Sequence, residues 1–291
     1  MELIFEKYSN SSRDFHKFML ETIAAKFDIY KNNIIVCARD VSDNNVHDLR
    51  VASRRFISTL NLYKEIYPTL YFTMIIKMVR KNFKSFGKLR DTHIMIDNCQ
   101  AIKIQFPLIY DFIKYLLSKE KRMVEKFSRN LGNININELD GMIYFLMRIL
   151  KYDFPQIQVD FSTFENYINQ NLSSLRDLYN QIDIRDLKTI HKFRIAVKKY
   201  RYTVEVLQDF IPNFQKLYKN LVKIQDNAGE IQDLVVLNIE FQNFLNKKQY
   251  QEEAIKMQVE NIFIYLKNKQ KQLIDKFIQK DEMIKRVIEL S

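Results

Sequence analysis

An eleven-residue element occurs twice in this 291-residue chain, and that duplication limits the fold more than any other feature. The first copy is Val46-His47-Asp48-Leu49-Arg50-Val51-Ala52-Ser53-Arg54-Arg55-Phe56. The second is Ile190-His191-Lys192-Phe193-Arg194-Ile195-Ala196-Val197-Lys198-Lys199-Tyr200. Both read apolar, His, any, apolar, Arg, β-branched, Ala, any, basic, basic, aromatic. The second copy begins at Ile190 where the first begins at Val46, a shift close to half the chain. An internal duplication with halves at 1–150 and 151–291 is the simplest division.

Each copy reads as a helix with one face for a core and one for an anion. With His47 at zero on a helical wheel, Arg50 falls at roughly −60°, Arg54 at roughly −20° and Arg55 at roughly 80°. Leu49, Ala52, Phe56, Leu60 and Tyr63 gather on the opposite side, between roughly 140° and roughly 220°. In the second copy His191, Arg194, Lys198 and Lys199 share the polar face, opposite Phe193, Ala196, Tyr200, Val204 and Leu207. Arg201 joins that basic face where the first copy has Ile57.

Gly and Pro are scarce, at four each, which favours long helices with few tight turns. Three-and-four spacing of apolar residues predicts helices over about 12–39, 45–67, 69–98 and 107–132, then a short one over 138–150. Pro68 stops the motif helix, and a linker is expected around Phe154-Pro155. The second half predicts helices over about 161–182, 186–211, 213–246 and 250–278, with Pro212 in the place of Pro68. The expected class is all-α, four antiparallel helices per half.

The long third helix carries a basic stripe: Lys77, Arg80, Lys81, Lys84 and Lys88 step by three and four, and Asp91 continues the row. It ends in Gly87-Lys88-Leu89-Arg90-Asp91, matched in the second half by Gly229-Glu230-Ile231-Gln232-Asp233. Lys219 and Lys223 match Lys77 and Lys81, whereas Asp226 and Glu230 replace Lys84 and Lys88. The net charge of +11 argues for a polyanionic partner or an anionic membrane surface. Two like charges about 4 Å apart repel by about 1 kcal/mol in water and about 4 kcal/mol at an effective dielectric near 20. Basic faces brought together therefore call for anions to neutralise them. Arg at three-residue spacing offers forks for phosphate oxygens, and Lys adds point charges. Asp91 and Asp233 are expected to clamp an Arg in position.

Other classes find less in the sequence. Cys37 and Cys99 form no zinc or redox pattern and read as buried or idle thiols in a reducing compartment. The first ten residues carry two Glu and no basic-then-apolar pattern, so no signal peptide is expected, and the longest apolar run is too short to span a bilayer. A cytoplasmic protein is the default. With four His and no clustered carboxylates, no metal site or cofactor is expected, and no Gly-rich phosphate loop appears.

At these residues the sequence resembles the CHAD family, the conserved histidine α-helical domain. The resemblance rests on His47-x-x-Arg50-Val51-Ala52-x-Arg54-Arg55 with Leu89-Arg90-Asp91, then on His191-x-x-Arg194 with Lys198-Lys199 and Gln232-Asp233, and it covers nearly the whole chain. It implies two pseudo-symmetric four-helix bundles around a basic central channel. It also implies binding of inorganic polyphosphate and association with polyphosphate granules. The chain looks like a stand-alone member, without an attached triphosphate-tunnel (CYTH) domain. The residues expected to line the channel are His47, Arg50, Arg54, Arg55, Lys77, Arg80, Lys81, Lys84, Lys88, His191, Arg194, Lys198, Lys199, Arg201, Lys219 and Lys223. The acidic Asp226 and Glu230 depart from a basic lining.

Three alternatives compete. General polyanion or nucleic-acid binding fits the basic faces, but no helix-turn-helix, RRM-type or zinc signature is present, and the placeable aromatics lie on apolar faces. Docking of an acidic protein partner fits the charge equally. An enzyme would draw on the histidines: His47 and His191 resemble phosphoacceptor histidines of helical bundles, and His47-Asp48 is similar to the pair of metal-dependent HD phosphohydrolases. The second copy reads His191-Lys192, so that pair is not kept, and binding without catalysis is the expected role.

Overall fold

The structure, a computed structural model, describes residues 12–84, 86–153, 161–211, 214–248, 250 and 252–289. The N-terminal ten residues, the linker at Phe154-Pro155 and Pro212 lie outside the described residues. All regular elements within them are helices: α1 (Ser12–Arg39), α2 (Asp43–Ile66), α3 (Leu70–Lys84), α4 (Gly87–Ile102), α5 (Leu108–Gly132), α6 (Ile136–Asp153), α7 (Phe161–Asn180), α8 (Leu187–Leu207), α9 (Phe214–Lys248), α10 (Glu253–Ile278) and α11 (Asp281–Glu289). The all-α expectation holds. None of these helices is long and apolar enough to cross a membrane.

The two motif helices start and stop for local reasons. The Ser42 hydroxyl accepts the Asn45 amide at the start of α2, and Asp43 puts a negative charge in the first turn, where the helix dipole favours it. The last amide, of Tyr67, returns to the Tyr63 carbonyl, and Pro68 follows. At the start of α8 the Asp186 carboxylate accepts the Lys188 amide. The apolar faces are buried as the wheel predicts: Leu49, Phe56 and Leu60 on α2 and Phe193 and Val204 on α8 are fully inaccessible. Each such large side chain contributes about 2 kcal/mol by its burial. Phe56 lies between the rings of Phe27 and Tyr30, and Phe193 between those of Tyr179 and Phe277.

In the first half α2 packs between α1 and α3, and in the second α8 packs between α7 and α9. The two motif helices also pack on each other, and α4 packs on α9. These contacts join the halves, and one continuous hydrophobic core runs from Phe15 to Ile288.

One expected element is divided. The predicted single helix over 69–98 is two helices, broken between Lys84 and Gly87, whereas α9 runs through the matching stretch without a break. The glycines cannot be the cause, since Gly229 sits inside α9. The difference is the residue before them. Ala228 is small and buried, while the ring of Phe86 seats edge-on against Phe127 at 4.9 Å. The break falls beside this buried ring, and the basic stripe is cut there: Lys77, Arg80 and Lys81 stay on α3, while Lys88 and Asp91 lie on α4. A short eleventh helix after residue 280 was also not expected.

Candidate functional site

The α2–α8 contact gathers four of the predicted cations. Arg54 acts electrostatically on Arg50, Arg194 and Lys198 at once, so side chains from both halves share one field. Burial, then Arg54, pushes the Arg50 guanidinium down to about 10, with Arg90 adding to the repulsion and Asp91 opposing it. Arg194 is lowered by burial and by Arg54, against Asp233, Asp91 and Asp226. Lys198 is affected most: burial and then Arg54, Arg194, Arg50 and Arg201 push its ammonium down to about 6. Burial first, and like charge after it, favour the neutral form of this group, so cations crowd a partly desolvated place.

The glycine motifs form the other wall. A Cβ on Gly87 would stand 3.4 Å from Arg50 Nη1, and one on Gly229 would stand 3.6 Å from Arg194 Nε. In both halves the glycine backbone lies directly against the motif arginine, at a distance where a Cβ would make ordinary contact. The residue three beyond each glycine meets the motif histidine's neighbourhood. Gln232 hydrogen-bonds His191, whose imidazole is lowered by burial and by Arg194. Arg90 repels His47, itself lowered first by burial, but its guanidinium bonds to Asp43. Asp233 is half-buried; burial raises its carboxyl and Arg194 pulls it back down.

The other predicted cations, Lys84 apart, divide into three groups. Arg55 and Arg201 are engaged by the protein: Arg55 Nε lies 2.5 Å from Glu205, whose other oxygen is 3.5 Å from Arg201. Arg201 also donates to Gln225 at 2.9 Å and to Tyr218 at 3.3 Å, with its guanidinium over the Tyr202 ring. Lys77, Arg80 and Lys81 line a cavity of about 550 Å³ between α2 and α3, together with Asn61 and Lys64. Lys88, Lys219 and Lys223 are exposed on α4 and α9, and Lys199 is exposed over the Tyr167 ring. Lys84 ends α3, and its side chain lies outside the described part. Glu230, which departs from a basic lining, is held by Lys276 at 3.0 Å.

A family model described as the CHAD domain matches residues 22–133 and 147–242. The chain belongs to the CHAD family. A crystal structure of the CHAD domain from the plant Ricinus communis matches with a TM-score of 0.67 at 16% identity, covering 94% of this chain and 91% of that one. At that identity the likeness shows the fold. A local stretch of 112 residues is 32% identical to origin recognition complex subunit 3 of Saccharomyces cerevisiae, spanning 38% of this chain and 17% of the yeast protein.

This CHAD chain uses residues that the motif reading passed over. Asn61 and Lys64 stand seven and ten positions beyond Arg54, on the same side of α2, and line the α2–α3 cavity beyond the duplicated element; their spacing was readable. Asp43 pairs with Arg90 and lies 2.9 Å from His93 Nδ1, while His93 Nε2 lies 3.0 Å from Glu120. That network ties α2, α4 and α5 together beside His47, and Asp43 looks like a capping residue only. No group of three or more His, Cys, Asp or Glu placed to hold a metal occurs among the described residues. Cys37 and Cys99 are buried free thiols, each pushed up to about 12 by burial.

Proposed function

We propose that this CHAD domain binds inorganic polyphosphate along the cationic face centred on Arg50, Arg54, Arg194 and Lys198, in the cytoplasm and on polyphosphate granules, without catalysis. The observation that carries this reading is the shared field of those four groups, drawn from both halves and opposed mainly by Asp91 and Asp233. A linear polyanion can run from this cluster along α2 towards Lys64, Lys77 and Arg80. About seventeen residues of helix separate His47 from Lys64, roughly 25 Å of track. Repeating phosphates neutralise cations that a single small anion cannot reach together.

A thermal-shift titration with long-chain polyphosphate, orthophosphate and single-stranded DNA tests this. Polyphosphate at about 100 times its dissociation constant is expected to add about 2.7 kcal/mol of stability. Its affinity should fall steeply with salt, with a log–log slope of roughly −0.7 per contacted phosphate if it behaves as a single strand. Equal shifts with DNA, or a flat salt response, would remove polyphosphate as the specific ligand.

Lys198 makes that binding pH-dependent. Its value in an unperturbed chain is 10.5 and in the native protein about 6. Between those values the native state holds one proton fewer than the unfolded state, so the apo protein gains stability as pH rises. A bound polyanion reverses the local field and restores the proton. Affinity is therefore expected to rise by up to about tenfold per unit as the pH falls from about 8, and to level off below about 6. Calorimetry near pH 7.5 in two buffers of different ionisation enthalpy should show uptake of up to about one proton, lost in Lys198→Met. Uptake unchanged in that variant would assign the proton elsewhere.

A further inference from the structure

A second basic surface lies away from the motif helices, and it is built by one stripe of α5. Tyr115, Lys119, Arg122 and Lys126 follow at four, three and four residues, so they share a helical face. At the offset of the duplication the second half has Val259, Phe263, Leu266 and Gln270, so the stripe is not a remnant of the duplicated plan. Opposite it stands the C-terminal end of α9. The rings of Phe112 and Tyr115 pack on Phe241 and Phe244, fixing the two helices against each other. Above that apolar floor opens a groove of about 720 Å³, beginning roughly 10 Å along α9 from Asp233 and ending roughly 20 Å from it.

Among the described residues lining the groove, the one carboxylate is already satisfied. Glu240 accepts Lys119 Nζ at 2.5 Å and the Tyr115 hydroxyl at 2.9 Å. Burial raises its carboxyl, but these two donors, with the Asn243 side chain, outweigh burial and hold it below the usual range. The Tyr115 hydroxyl accepts Lys247 Nζ at 3.3 Å, which places that ammonium at the groove's edge over the ring. Arg122 is steadied by its Nε donating to the Ser118 carbonyl, leaving its terminal nitrogens for a ligand. No carboxylate of the described residues forms an ion pair with Arg122, Lys126 or Lys247. Lys119 and Glu240 cancel, so three positive charges face the groove, with the Asn243 and Asn246 amides beside them.

We propose that this α5–α9 groove is a second anion site, selective for a short run of two or three linked phosphates. Three converging cations match the charge of a pyrophosphate-like group better than that of a carboxylate or a single phosphate ester. A nucleotide is disfavoured because a base would have to displace Lys247 from the Tyr115 ring, which also packs against Phe112 and Phe244. The linked phosphates are either a free oligophosphate or the end of a longer chain. The site involves none of the motif residues and stands independently of the central reading.

Calorimetric titration of the full chain with inorganic pyrophosphate tests it, beside the same titration with long-chain polyphosphate. Arg122→Gln with Lys126→Gln alters only exposed side chains. This pair is expected to weaken pyrophosphate at least tenfold, while Arg50→Ala with Arg194→Ala leaves it within twofold. If long-chain affinity falls as well in the Arg122/Lys126 variant, the groove takes a chain end; if it does not, the ligand is a free oligophosphate. Absence of pyrophosphate binding, or binding lost only in the Arg50/Arg194 variant, overturns the proposal. Long-chain binding that survives the Arg50/Arg194 variant while pyrophosphate obeys the α5 pair would sink the central reading alone.

Discussion

Replacing Arg50 and Arg194 together by alanine is expected to lower the affinity for long-chain polyphosphate by roughly a thousandfold. Each guanidinium can make charge-assisted bonds to phosphate worth about 2 kcal/mol, and two such losses amount to about three powers of ten. The pair is the test of choice because the two residues hold equivalent positions, each against a bare glycine of its own half and each depressed by burial and by Arg54. Their loss relieves repulsion at Lys198 but takes a counter-ion from Asp91 and Asp233, so a melting curve beside the titration checks that the double variant stays folded. Lys267→Ala with Lys271→Ala removes the same number of charges from exposed positions of α10 and should cost less than tenfold at moderate salt. Equal losses in the two variants would mean that net charge alone, and not the shared cluster, holds the polymer.

Much of this arrangement was legible because duplication and amphipathicity act locally. The wheel separated Leu49, Phe56 and Leu60 from Arg50 and Arg54 without knowledge of any partner helix, and the structure buries the first set completely. What could not be read depends on residues distant in sequence. Gly87 and Gly229 look alike in their motifs; what sets the broken helix apart is the buried Phe86, whose ring meets Phe127 forty-one positions away, where the unbroken one has Ala228. Arg201 sits on the polar face of its wheel, yet every residue from Tyr200 to Leu207 is buried, because α2, α7 and α9 surround that end of α8. A wheel assumes one solvent face, and a helix enclosed on all sides has none. The Asp43–Arg90–His93–Glu120 network was missed for a similar reason, as its members come from three helices.

The enclosure of α8 leads to the largest stability effect expected here. Glu205→Ala should destabilise the protein by about 3 kcal/mol, measured by chemical denaturation, or lower the melting temperature by roughly 6–12 °C for a chain of this size. Glu205 is 8% exposed and stands between Arg55 of α2 and Arg201 of α8, so it is the counter-ion at the junction of the halves. Removing it leaves the Arg201 guanidinium buried with Gln225, Tyr218 and the Tyr202 ring, with Lys198 in its field and only the exposed Asp226 to oppose its charge. An uncompensated buried cation costs far more than an exposed ion pair yields. Arg55→Ala should cost less, since its side chain is 38% exposed and Glu205 keeps Arg201. This ordering decides what the two arginines are for. If Glu205→Ala is costly, their charges are absorbed in holding α2 against α8, and the ligand meets a cluster of four cations, not six. A cost below about 1 kcal/mol, as for a surface pair, would return Arg55 and Arg201 to the set available to the polyanion.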